Sequence, residues 1–114
     1  MQDSPAQLQV FKAEFFRALA HPIRIRILEI LSVGERSVQE LQDALQLDQP
    51  SVSQQLAVLR GKNIVVARKL GSTVKYTVRD TLVGDLLKTA RLIFENQLSE
   101  TQTMLRELRR EGRD

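Results

Sequence analysis

Only two residues, Gln46 and Leu47, separate one helix signal from the next in the middle of this chain. Ser37-Val38-Gln39-Glu40 has the form of a capping box, in which the serine oxygen takes the third amide of the helix and the glutamate returns to the serine amide. Leu41, Ala44 and Leu45 then recur at helical spacing. Asp48 offers a carboxylate cap for a further helix, in which Val52, Leu56 and Leu59 stand at i, i+4 and i+7. That stripe turns inward, so Gln49, Pro50, Ser53, Gln54 and Ala57 face away from the core. Two short helices joined by so tight a turn make a helix-turn-helix.

The flanking sequence supplies the rest of a fold. Ser4-Pro5-Ala6-Gln7 reads as a cap, an N1 proline and a capping-box glutamine, after which Leu8, Phe11, Phe15, Ala18 and Leu19 share one face up to about Ala20. His21-Pro22 restarts the chain as a second helix with Ile23, Ile27, Ile30 and Leu31 inward, and Gly34 closes it. After Gly61 the period falls to two. "IVVARK" and "TVKYTV" form a β-hairpin about Leu70-Gly71-Ser72, with Val74, Tyr76 and Val78 on one face and Lys75, Thr77 and Arg79 on the other. From Asp80 to Gly112 only Gly84 interrupts a helical pattern of Leu82, Leu86, Ala90, Ile93, Phe94, Leu98, Met104, Leu105 and Leu108. A helix of that length spans about 45 Å, which overhangs a domain roughly 30 Å across. Its apolar stripe needs a partner.

At 114 residues the chain makes one domain with a modest core, and a second copy of itself is the natural source of further burial. There is no cysteine, so disulfides and thiolate chemistry are excluded. The N-terminus has no apolar signal region, and the longest apolar run is "IVVA", so the expected location is cytoplasmic with no membrane contact. Net charge is +3, but it is unevenly spread. Residues 49–79 hold Arg60, Lys62, Arg68, Lys69, Lys75 and Arg79 without one acid, whereas residues 37–48 hold Glu40, Asp43 and Asp48 without one base. A solvated face is one reading; a surface that meets polyanion is the stronger one. One histidine, no cysteine and no glycine-rich loop leave nothing from which to assemble a catalytic site, so the chain is not expected to be an enzyme.

Three stretches together, "ALAHPIRIRILEIL", "SVQELQDALQLDQPSVSQQLAVLRGKNIV" and "ARKLGSTVKYTV", resemble the ArsR/SmtB family of bacterial winged helix-turn-helix transcription regulators. The likeness runs from about Phe15 to Val78 by motif and to the end of the chain by architecture. It implies a mainly α fold with a small β-hairpin, working as a homodimer through its first and last helices. Residues 1–114 are then a single winged helix-turn-helix domain, with 1–20 and 80–110 as dimerisation helices, 37–60 as the helix-turn-helix and 64–79 as the wing. Phe11, Phe15, Leu86, Ala90, Ile93, Phe94 and Leu98 are the expected dimer residues, with Phe16 beside them.

The resemblance makes the fourth helix a recognition helix on double-stranded DNA. A major groove about 12 Å wide admits a helix whose outer side is short and polar. Gln49, Ser51, Ser53, Gln54 and Gln55 fit base reading; Arg60, Lys62, Arg68, Lys69 and Lys75 fit phosphate. Similar proteins often carry histidine where this one has Gln55, so their base preference does not transfer. The implied function is sequence-specific regulation of transcription, repression by default and activation as the other sign. Metal sensing is common in the family, yet the cysteine motif of the third helix is here "VQELQDAL" and the last helix has no histidine. His21, with Asp85, Glu95 or Glu100 and a second copy, leaves only a weak candidate for nickel or zinc. An organic effector between the helices stays open. Two other readings stand beside this one. One is an architectural DNA-binding protein with little sequence preference. The other is a helical adaptor, whose tail "LRELRREGRD" docks a second regulatory protein or is a solvated helix end.

Overall fold

The computed structural model describes residues 5–112, so the Ser4 cap expected for the first helix lies outside the described residues. Seven elements follow in order: α1 (Pro5–Leu19), α2 (Pro22–Val33), α3 (Val38–Leu45), α4 (Gln49–Gly61), β1 (Val65–Leu70), β2 (Thr73–Val78) and α5 (Leu82–Glu111). The fold is mainly helical with one antiparallel hairpin. The described residues fall into two compact units divided after Gly84.

The first unit is built on an apolar core drawn from α1 to α4, β1 and the start of α5. Ala18 and Leu19 come from α1, Ile27, Leu28 and Leu31 from α2, Leu41 from α3, and Val52, Leu56 and Leu59 from α4. Ile64, Val65 and Val83 complete it. Burying each large side chain contributes about 1.5–3 kcal/mol, and among the described residues no polar or charged side chain is fully buried. The helix α2 departs from its expected inward face: Leu28 is in the core, while Ile23 and Ile30 are half-buried. It ends at Val33 as expected, but Gly34 has φ 174, extended backbone instead of the left-handed cap glycine usually provides.

The hairpin is tighter than the pattern indicated. Leu70 pairs with Thr73 inside the ladder, so only Gly71 and Ser72 form the turn, and Gly71 takes φ +63. Two-residue hairpin turns need that left-handed first position, which glycine occupies without strain. A two-stranded ribbon is marginal alone. Here the free edge of β2 is held by Arg36, which exchanges both backbone bonds with Tyr76, at 2.7 and 3.1 Å. Arg79 N also donates to Ile64 O at 2.9 Å. Lys75 through Val78 are consequently all half-buried, where simple alternation would cover one face.

At the start of α5 the backbone approaches α2 closely. A Cβ on Gly84 would stand 3.1 Å from both Cβ and Oγ of Ser32. The second unit is the remainder of α5, and its apolar residues Leu92, Ile93, Phe94, Leu98, Met104, Leu105 and Leu108 are all exposed.

Candidate nucleic-acid interface

The start of α3, its end and the start of α4 are each fixed by a cap. Ser37 Oγ accepts from Glu40 N at 3.1 Å while Glu40 Oε1 accepts from Ser37 N at 3.0 Å, the full capping box. Gln46 ends α3 in the left-handed region at φ 56, and Leu47 N returns to Gln42 O at 3.2 Å. Asp48 Oδ1 then accepts from Ser51 N at 2.8 Å and starts α4. With Val52, Leu56 and Leu59 anchored in the core, Pro50, Gln54 and Ala57 form the exposed outer stripe.

The five candidate base readers do not stand alike. Gln54 is exposed in the middle of the outer stripe. Gln49 is exposed and its amide donates to Ser53 Oγ, so the two share one flank. Ser51 and Gln55 lie half-buried on the opposite flank, and Gln55 Oε1 accepts from Arg24 Nη1 of α2 at 2.9 Å.

Acids from outside the acid-free run meet three of the five candidate phosphate contacts. Lys62 lies 3.4 Å from Glu14 of α1, and Arg68 Nη2 donates to both oxygens of Glu35 at 2.7 and 2.8 Å. Lys75 of the wing pairs with Glu40 of α3. Arg60 and Lys69 are exposed and make no ion pair among the described residues. The Lys62 and Arg68 pairs are surface ion pairs worth about 0–1 kcal/mol each, so phosphate can displace Glu14 and Glu35 at little cost.

The Lys75 ammonium, together with the Ser37 amide, holds the Glu40 carboxyl down from 4.5 to about 2. Asp48 is also lowered, by its bonds from the Ser51 hydroxyl and amide. Because the folded pKa of Glu40 lies below the unfolded one, its stabilisation is fully present above pH 4.5 and is lost as pH falls toward 2. Glu40→Gln keeps a capping-box side chain and removes the charge. The gap in unfolding midpoint between wild type and this variant should shrink between pH 4.5 and 2, followed by circular dichroism. A constant gap would mean the charge contributes nothing.

The expected dimer residues divide between the two units. On α1, Phe11 is exposed at 76%, while Phe15 is half-buried and meets Phe16 edge-on at 5.7 Å. On α5, Leu86 and Ala90 are half-buried and Ile93, Phe94 and Leu98 exposed. His21 caps α2, its Nδ1 accepting from Ile23 N at 3.1 Å, so that nitrogen is already used. Among the described residues no three His, Cys, Asp or Glu side chains converge on a metal-sized site.

Residues 21–66, which hold α2, α3, α4 and the start of β1, match the family model described as bacterial regulatory protein, arsR family. The chain is 42% identical over 113 residues to the uncharacterized HTH-type transcriptional regulator Rv0081 of Mycobacterium tuberculosis, covering 98% of this chain and 97% of that one. The chain belongs to the arsR family. The crystal structure of Rv0081 superposes with a TM-score of 0.76, covering 87% of this chain and 98% of that chain. The solution structure of the homodimeric winged helix-turn-helix DNA-binding domain Mb0332 from Mycobacterium bovis gives 0.77 at 27% identity, covering 88% and 93%. A probable mercury resistance operon repressor of Streptomyces lividans is 40% identical over 81 residues, 71% of this chain and 65% of that one.

As an arsR-family protein the chain is a winged helix-turn-helix transcriptional regulator, in a family of regulators and not of enzymes. Within that frame the sequence reading missed Arg24, which the fold brings to Gln55 from 31 positions away. It also missed Glu14 and Glu35 as partners of the basic run, and where the acids of α3 are natural partners for Arg60, it is Lys75 that pairs there, with Glu40. Helical spacing on α2 carries no signal for the first, and the second depends on tertiary packing: Glu35 in the loop after α2 and Glu40 on α3 meet the hairpin, and Glu14 on α1 meets Lys62 at the end of α4.

Proposed function

We propose that the protein acts as a homodimer that reads one duplex DNA sequence with α4 and grips flanking phosphate with the wing, repressing transcription by occupying a promoter. The observation that carries this is the outer stripe of α4, where Pro50, Gln54 and Ala57 stand exposed between polar flanks with no acid beyond the cap. Gln49, Ser51, Ser53, Gln54 and Gln55 supply base-edge and backbone contacts, and small apolar side chains suit the thymine methyl. Arg60 and Lys69 bind phosphate directly; Lys62, Arg68 and Lys75 do so by exchanging their carboxylates.

The dimer forms where α1 and α5 each leave aromatic residues uncovered. In domain terms, residues 1–20 and 80–110 dimerise, 37–60 form the reading motif and 64–79 the wing of a single domain. No helix among the described residues is long and apolar enough to cross a membrane, and a protein that works on chromosomal DNA resides in the cytoplasm. We carry no metal effector into this reading. The relative named for mercury resistance implies a soft metal, which wants thiolates, and this chain has no cysteine. Nickel or zinc at His21 would have to displace a helix cap. The charged end of α5 remains the place for a second regulatory protein.

Fluorescence anisotropy tests the reading, with duplex from the gene's own upstream region and scrambled duplex at two salt concentrations. Preference for the upstream duplex of about a thousandfold or more, with a steep fall in affinity as salt rises, is the expected result. Equal affinity for both duplexes would favour an architectural protein, and no salt-dependent binding would favour an adaptor.

A further inference from the structure

Arg24 stands where three helices meet. Its Nε donates to Ala18 O at 2.6 Å and its Nη2 to Arg17 O at 3.4 Å, so it satisfies carbonyls at the end of α1. Its Nη1 donates to Gln55 Oε1 on α4 at 2.9 Å. A guanidinium is a rigid planar fork, so holding the α1 carbonyls fixes the direction in which the third donor points. Arginine has no acceptor, which forces the carbonyl end of the Gln55 amide toward it and turns the NH2 end away. Among the described residues that NH2 group makes no hydrogen bond.

We propose that Arg24 is a positioning residue for sequence readout. It locks the Gln55 amide so that donors are offered to DNA, and Gln55 then selects a base edge that accepts: purine N7, guanine O6 or thymine O4. This rests on α4 being the DNA-reading helix. A glutamine free to flip presents donor or acceptor with equal ease and tolerates more base pairs; one held by its carbonyl discriminates. The same side chain ties readout to the end of α1, so a displacement of α1 is passed to Gln55 through one rigid group.

The test begins with a randomised duplex pool selected on the wild-type dimer, followed by affinities for every single-base-pair variant of the selected site. Gln55→Ala should lower discrimination at one base pair per half-site by about tenfold, leaving the salt slope unchanged. Arg24→Lys, whose single ammonium cannot hold both α1 and Gln55, should lose discrimination at that same base pair, and the double variant should be no worse than either alone. Thermal unfolding and sedimentation, run alongside, should show a folded dimer for each. Uniform weakening across all variants by Arg24→Lys, losses that add in the double variant, or no change at all would overturn the assignment. Failure of the wild type to select any sequence would instead remove the underlying reading of α4, a result distinct from each of these.

Discussion

Phe94→Asp should convert the protein to a monomer in sedimentation velocity and lower its affinity for the selected duplex by roughly a hundredfold or more. Phe94 is 64% exposed on α5, so the substitution removes little packing inside one protomer. In a dimer core the ring is an aromatic anchor, and truncating such an anchor costs about 2–4 kcal/mol before any carboxylate is buried. The loss in DNA binding follows from linkage: two reading helices held on one body bind as a linked pair, and a monomer keeps only one of them. Phe11→Asp, at the still more exposed ring of α1, should behave alike. Phe15→Asp would also split the dimer, but it disturbs the edge-on contact with Phe16 and so mixes two effects. A Phe94→Asp protein that stays dimeric would take α5 out of the interface.

Leu56→Ala should destabilise the protein by about 2–5 kcal/mol, which is a large part of the 5–15 kcal/mol typical of a whole domain. Leu56 is 1% exposed and stands between Val52 and Leu59 on the inner face of α4. The cavity left by its side chain lies directly behind the outer stripe, so DNA binding should fall with folding. Urea unfolding followed by circular dichroism measures the change, and a loss under about 1 kcal/mol would mean that the site collapses around the gap. Ala57→Ser on the outer stripe separates the two roles of the helix. It should change stability by no more than about 0.5 kcal/mol, yet alter the preferred DNA sequence.

Local chemistry made much of this fold legible. The caps Ser37 and Asp48, the inner triad of α4 and the turn glycine Gly71 each act within a few residues of chain, and each stands where its pattern placed it. The inner face of α2 was harder because Ile23, Ile25, Ile27, Leu28, Ile30 and Leu31 are apolar nearly all round, and periodicity alone cannot choose among them. Sequence alternation on β2 assumed one open face, and the Arg36 bridge covers the strand edge from a loop 40 positions earlier in the chain. The acid-free run overstated the free positive charge for the same reason. Being without acids along the chain is not being without acids in space, and Glu14, Glu35 and Glu40 come back to it through the fold.

Hydroxyl-radical footprinting of the dimer on its selected duplex tests the central claim most directly. Two reading helices on one two-fold body should protect two symmetric segments whose centres lie about 34–36 Å apart, one helical turn. Protection of a single segment, or an even pattern along the whole duplex, would contradict a homodimer that reads DNA through α4.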